Sequence, residues 1–264
     1  MTDQHPTPGP QPVDLGSRFL RASKQNGVLT VVIDRPERRN ALTIEMYHSI
    51  KKAAVLAERD PDVDILVVTA TGEYFCVGGE MGGQHEGGQQ IDRETDGIDL
   101  TPFVQLERCS KVVMMAINGM CQGGGLVMTL MSDISVVSSR ATFRVPELLR
   151  GVADCYLGGR LASRVGIARA KYLLFTAQYI GAQEALAMGL VSRVVPHEEL
   201  EAAVLETIGW VRQTGPRART ALKRELNRQL PQLDIPMFTD SLASEEVREG
   251  FSAFVEKRPP KWVR

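Results

Sequence analysis

Two glycine-rich turns hold the residues best suited to chemistry in this chain. One is Phe75-Cys76-Val77-Gly78-Gly79-Glu80-Met81; the other is Ile117-Asn118-Gly119-Met120-Cys121-Gln122-Gly123-Gly124-Gly125, and each directly follows an apolar, strand-like run. A single glycine turn needs no function, because glycine suits any tight turn or close backbone approach. Two of them followed by Pro146-Glu147 offer more: bare N–H groups brought to one point for a developing oxyanion, and a carboxylate to move a proton. Plainer readings exist beside these. The Gly123-Gly124-Gly125 run also suits close packing of a helix on a strand, and a glutamate after proline is a favoured helix start.

The elements that must position these groups alternate along the first two thirds of the chain. Residues 27–34 (GVLTVVID) read as a strand that enters a turn at Arg35-Pro36. A helix over 43–59 follows, with Leu42, Met46, Ile50, Ala53, Ala54 and Ala57 near one face. Residues 64–70 and 112–117 are further strands, the second running into the glycine triplet; 126–131 is helical and 134–137 returns to strand. Strand-turn-helix repetition of this kind predicts an α/β protein with helices packed on parallel strands. Residues 168–188 and 198–229 are helix-like, interrupted by a short strand candidate at 190–195 and by the Gly215-Pro216 break. Helices without strands must bury their apolar faces on the body or on another subunit. The polar stretch 82–99 reads either as a loop over the site or as a variable surface loop.

Composition sets outer limits. The 264 residues, 43% hydrophobic and 24% charged with a net charge of −1, suit a globular protein and do not mark a general nucleic-acid or membrane-surface binder. Cys76, Cys109, Cys121 and Cys155 show neither a CxxC pair nor zinc-type spacing, and read as reduced, buried side chains. His5, His48, His85 and His197 share no spacing that would hold a metal. Residues 1–15 are rich in Pro, Gln and Asp and read as a disordered tail rather than a secretory signal. No apolar run approaches the roughly 20 residues that span a bilayer. A soluble, cytoplasmic protein is expected.

The stretch Asp34-Arg35-Pro36-Glu37-Arg38-Arg39-Asn40-Ala41-Leu42, the two glycine turns, Pro146-Glu147 and the ending Gly250-Phe251-Ser252-Ala253-Phe254 with Glu256-Lys257-Arg258 together resemble the crotonase superfamily, the enoyl-CoA hydratase/isomerase family. The likeness runs from about Arg18 to Val263 in the family's order. It implies a crotonase-like α/β spiral of ββα units in residues 16–200, and a C-terminal helical region, 201–264, that builds homotrimers often paired into hexamers. It implies an acyl-CoA thioester as substrate, with coenzyme A part of that substrate and no separate cofactor or metal. By the same pattern the N–H groups of Gly79 and Gly124 form the oxyanion hole, Glu147 is the catalytic acid/base, and Arg38, Ala41, Val77 and Lys257 lie at the CoA moiety. Physical logic supports the glycine assignment, because a thioester enolate concentrates charge on oxygen and preorganised donors favour it over the neutral ground state.

The acids depart from the hydratase pattern. Hydratases of the family carry one glutamate two residues beyond the glycine triplet and another at the Pro-Glu position; here the first place is Val127 and only Glu147 is kept. Water addition needs a base for water and a proton source for C2. A single carboxylate suffices to remove a proton from C2 of a 3-enoyl thioester and return it at C4, as in the family's enoyl-CoA isomerases. Asp154 lies near a catalytic aspartate of some relatives and is either a second acid or the N-cap of a helix starting near Tyr156. Glu80 follows Gly79 as structural support for the turn. Three functions stay open: an isomerase, a hydratase using Asp154, and an acyl-CoA binding protein with weakened turnover.

Overall fold

Apolar runs without alternation call for burial on both faces, and the structure uses them so. The computed structural model describes residues 9–80 and 101–263. Its elements in chain order are β1 (Gln11–Pro12), β2 (Leu20–Gln25), β3 (Val28–Ile33), α1 (Ile44–Arg59), β4 (Ile65–Ala70), β5 (Tyr74–Cys76), α2 (Phe103–Arg108), β6 (Val112–Ile117), β7 (Met120–Gln122) and α3 (Gly124–Met131). They continue with β8 (Ile134–Ser138), β9 (Thr142–Arg144), α4 (Cys155–Val165), α5 (Ile167–Thr176), β10 (Ile180–Gly181), α6 (Ala182–Met188), β11 (Arg193–Val195), α7 (Leu200–Arg212), α8 (Pro216–Arg228), α9 (Ile235–Ala243) and α10 (Glu245–Val255). The predicted loop 82–99, Met81, His5 and His85 lie outside the described residues.

Two sheets result. The larger has the order β1-β2-β3-β4-β6-β8-β11, and the smaller has β10-β9-β7-β5. From β3 to β11 the large sheet is parallel; an antiparallel hairpin, β2 and β3 joined by Asn26-Gly27, closes one side. Each of the pairs β4/β5, β6/β7 and β8/β9 gives its first strand to the large sheet and its second to the small one. That is the ββα spiral. Alternate residues of β4 and β6 serve different cores: Leu66, Val68, Val113 and Met115 face the small sheet, α1, α3 and α4, whereas Ile65, Val67, Met114 and Ala116 pack under Ala203, Val204 and Ile208 of α7.

Some expectations are revised. Within the predicted tail, Gln11 and Pro12 pair with Lys24 and Ser23 of β2, and Leu15 is buried, because an open edge of the hairpin accepts a further strand. The helical run 168–188 is broken by β10, which adds antiparallel to β9. Gly215-Pro216 divides α7 from α8 as expected, with Pro216 in the first turn. His197 is structural, its Nδ1 lying 3.0 Å from Ser138 Oγ, and His48 is exposed on α1. Among the described residues no helix is long and apolar enough to cross a membrane.

The C-terminal helices bear directly on the site. A Cβ added at Gly250 of α10 would lie 2.5 Å from the carbonyl carbon and oxygen of Arg150, and one at Gly151 would lie 2.7 Å from the backbone of Glu246. The helix therefore rests backbone on backbone against the 3-10 turn Glu147–Arg150. Ser241 Oγ of α9 adds a bond from Ala153 N–H (2.7 Å) and one to Gly151 C=O (3.3 Å). Gly250→Ala is predicted to destabilise by about 1–3 kcal/mol through overpacking, a fall in Tm of roughly 2–4 °C per kcal/mol for a chain of this size. Gly209→Ala, in α7 with nothing within 4 Å of an added Cβ, should be neutral or stabilising. Thermal unfolding of the two variants decides; equal shifts would refute the contact.

Candidate active site

The two glycine turns leave the same end of the small sheet, because β5 and β7 are parallel neighbours, with Tyr74 opposite Met120 and Cys76 opposite Cys121. Beyond these strands the backbones touch. A Cβ on Gly123 would lie 3.1 Å from Gly78 Cα, and one on Gly78 would lie 3.4 Å from Gly124 N. Gly78 and Gly123 have φ of +96° and +55°, values in the left-handed region that side chains disfavour. Both the contact and the conformation thus call for glycine. Gly125 seats α3 on β5 in the same way, 2.7 Å separating its added Cβ from that of Cys76. The packing and the oxyanion readings of the triplet are therefore compatible.

Hydrogen bonding leaves two donors unused. Leu42 pairs with Gly79 as a single parallel bridge in which Leu42 N–H bonds Gly78 C=O (2.9 Å) and Glu80 N–H bonds Leu42 C=O (2.8 Å). Those bonds use the residues flanking Gly79 and turn its own N–H to the opposite side. Gly124 is the first residue of α3, whose leading N–H groups have no partner inside the helix. No acceptor among the described residues meets either N–H. Arg35, 2% exposed, braces the turn by donating to Ala41 C=O (3.1 Å) and Glu80 Oε1 (3.0 Å). Glu80 is thus structural. Asn40 ties the same loop to the end of β4 and the start of β5 through Thr71 and Tyr74 C=O.

Glu147 opens the 3-10 turn after β9 and Pro146. Its Oε1 lies 3.3 Å from the point a Cβ on Gly123 would occupy, and its Oε2 is buried without a hydrogen-bond partner. Burial, and then the charge of Asp154, push its pKa up to about 8. Asp154 is the N-cap of α4: Oδ1 accepts from Tyr156 N–H (2.7 Å) and Leu157 N–H (3.1 Å). Burial outweighs those two bonds and raises Asp154 to about 6. Cap and acidic neighbour are therefore one residue. Val127, 1% exposed on α3, belongs to the apolar core.

The four cysteines are free and buried, and burial pushes Cys76 and Cys155 up to about 12. Ala41 and Val77 stand beside the Leu42–Gly78 bond, the Val77 C=O accepting from Gln122 Nε2 at 3.3 Å. Arg38 is exposed in the 3-10 turn Pro36–Arg38, and Lys257 is exposed just past α10. A separate groove of about 930 Å³, bordered by Asp133, Trp210, Leu222 and Lys223, is lined by none of the site residues. One polar group at the site was missed by sequence reasoning: Tyr47 of α1, whose hydroxyl reaches Gly79 and Gly124. Its signal was present, since Tyr47 sits three residues before Ile50 on the helix's buried side.

An α/β spiral that holds two unpaired backbone N–H groups near a buried carboxyl has the parts that oxyanion chemistry uses. Comparison with known proteins agrees. The enoyl-CoA hydratase/isomerase family model matches residues 23–264. A crotonyl-CoA hydratase of Syntrophomonas wolfei is 30% identical over 91% of this chain and 96% of its own length. A short-chain-enoyl-CoA hydratase of Clostridium acetobutylicum is 32% identical over 89% of this chain and 94% of its own. The crystal structure of a carnitinyl-CoA hydratase from Mycobacterium avium superposes with a TM-score of 0.81 at 28% identity, covering 94% of this chain and 99% of that one. The chain belongs to the enoyl-CoA hydratase/isomerase family, within the crotonase superfamily. It is an acyl-CoA-processing enzyme.

The raised carboxyl predicts a pH signature. A carboxyl whose pKa rises on folding stabilises the folded state fully below its unfolded value, and that contribution is lost as pH climbs through the folded value. For Glu147 the window runs from the ordinary 4.5 to about 8. Glu147→Gln removes the charging step, so its Tm should gain on the wild type across this window and level off above it. Thermal unfolding of both proteins from about pH 5 to about pH 9 checks this; a difference independent of pH would refute the burial of Glu147.

Proposed function

We propose that the protein is an enoyl-CoA isomerase that moves a double bond by way of a thioester enolate. The carrying observation is the buried Glu147 carboxyl beside the Gly78/Gly123 contact, its Oε1 toward Gly123 and its Oε2 without a hydrogen-bond partner, with Val127 where a hydratase's other glutamate stands. In the proposed step the Glu147 carboxylate takes a proton from C2 of a 3-enoyl thioester. The C–H electron pair moves into the C1–C2 bond and the carbonyl π pair moves onto the thioester oxygen, giving a dienolate whose charge the Gly79 and Gly124 amides receive. Glu147 then returns the proton to C4, which the C3–C4 π pair binds, while the C1–C2 π pair moves to C2–C3 and the oxygen's charge re-forms the carbonyl. A carboxyl raised to about 8 suits a group that must both take and give a proton near neutral pH.

Arg38, Ala41, Val77 and Lys257 are proposed to hold the CoA moiety, with no cofactor beyond the substrate's own. A homotrimer or hexamer in the cytoplasm completes the proposal. Hydration is the second reading. The names of the hydratase relatives favour it, as does the coupling of Asp154 to Glu147.

Parallel assays with 3-enoyl-CoA and 2-enoyl-CoA on wild type, Glu147→Gln and Asp154→Asn separate the readings. Isomerisation without hydration is expected, lowered by Glu147→Gln on the order of 10²–10⁴-fold, with Asp154→Asn losing less activity and more stability. Hydration that survives Glu147→Gln would overturn the mechanism, and tight binding without turnover would identify a binding protein.

A further inference from the structure

One polar group at the site has no part in the isomerisation described: the hydroxyl of Tyr47. Its placement follows from the Leu42–Gly79 bridge, which fixes the entry to α1 directly over the first glycine turn. Thr43 caps the helix by accepting from Met46 N–H, and Tyr47 N–H bonds Thr43 C=O at 3.0 Å, so Tyr47 belongs to the first turn. Met46, Ile50, Ala53 and Ala54 anchor the helix in the core and set its rotation. The Tyr47 ring meets Phe103 edge to face, with centroids 5.9 Å apart and planes at 81°. Phe103 in turn packs on Tyr156 at 5.0 Å. The phenol is thereby held by an aromatic row.

The hydroxyl end lies beside both Gly79 and Gly124. Tyr47 Oη lies 3.3 Å from the point a Cβ on Gly79 would occupy, and it would collide with a Cβ on Gly124. Gly123, the next residue back, has Glu147 Oε1 on its side of the turn. The glycine pair is therefore flanked by a carboxyl and by a phenol. Burial, followed by the nearby Cys76, Asp154 and Glu147, holds the phenol well above its ordinary pKa. It remains a neutral donor throughout the range in which Glu147 titrates.

We propose that Tyr47 is a further catalytic residue, its hydroxyl donating a hydrogen bond to the thioester oxygen alongside the Gly79 and Gly124 amides. No bond is broken at Tyr47; the proton stays on Oη and the interaction strengthens as charge develops on the thioester oxygen. The proposal rests on the acyl-CoA reading of the site, whichever reaction follows the enolate. The phenol also explains why Gly124 is glycine, since any side chain there meets it.

The test uses a thioester that reports on its own carbonyl. A 3-phenylpropenoyl-CoA, conjugated through the carbonyl, absorbs at longer wavelength when donors polarise that oxygen. Wild type, Tyr47→Phe and Glu147→Gln are each saturated with it, and hydrogen–deuterium exchange at C2 of a saturated acyl-CoA is followed in parallel. Tyr47→Phe keeps the ring contact with Phe103 and should fold like the wild type and still be saturated by the probe. Its red shift should be smaller, and its exchange rate lower on the order of 10²-fold. Glu147→Gln should keep the red shift and lose exchange. A full red shift in Tyr47→Phe overturns the proposal whatever happens to the rate, and so does a wild type that binds the probe without any shift. Absence of isomerisation, with a red shift that still depends on Tyr47, refutes the isomerase reading and leaves Tyr47 in place.

Discussion

Gly78 and Gly123 meet with no side chain between them, and most of the site depends on that contact. It exists because β5 and β7 are parallel neighbours that end together, so the turns after them start side by side. Everything else holds these turns in place. Gly125 lets α3 lie against Cys76, the Leu42 bridge ties α1 to the first turn, and the buried Arg35 clamps Glu80 and Ala41 on its outer side. The α1 tether also delivers Tyr47, so one pair of backbone bonds sets both an amide direction and the position of a phenol.

The electrostatics follow from burial rather than from ion pairing. Glu147 and Asp154 both rise in pKa, and no cation is bonded to Glu147 among the described residues. Arg150, three residues on, turns away: its guanidinium lies over Phe254 at 4.0 Å and donates to Leu149 C=O. A buried carboxyl without a counter-charge holds its proton more tightly than an exposed one. Asp154 keeps two N–H bonds as the cap of α4 while its charge opposes that of Glu147. The C-terminal helices complete the enclosure, since α10 presses on the turn that carries Glu147 and α9 bonds the loop behind it.

Much of this was legible in the chain. β6 falls on residues 112–117 as predicted, α1 begins at Ile44, one residue inside the predicted 43–59, and α3 starts at Gly124, two residues before the predicted helix 126–131. The short strands β5, β7 and β9 were not resolved individually, because three residues are too few to show a period. Tyr47 was missed for a different reason. A tyrosine on the buried side of a helix looks like core until the neighbour across from it is known, and here that neighbour is a glycine pair dozens of positions away.

The sequence by itself determined where most of the longer strands and helices fall, where the backbone can be bare, and which acid is missing at Val127. Those are local properties: periodicity, capping and the absence of a side chain act within a few residues. Only the tertiary structure decided that Gly79 and Gly124 both keep a free N–H, that Asp154 both caps a helix and loads Glu147, and that a phenol joins them. Hydrogen-bond direction, burial and charge coupling are set by elements far apart in the chain, and they take their values only once the two sheets and the C-terminal helices have closed around one point.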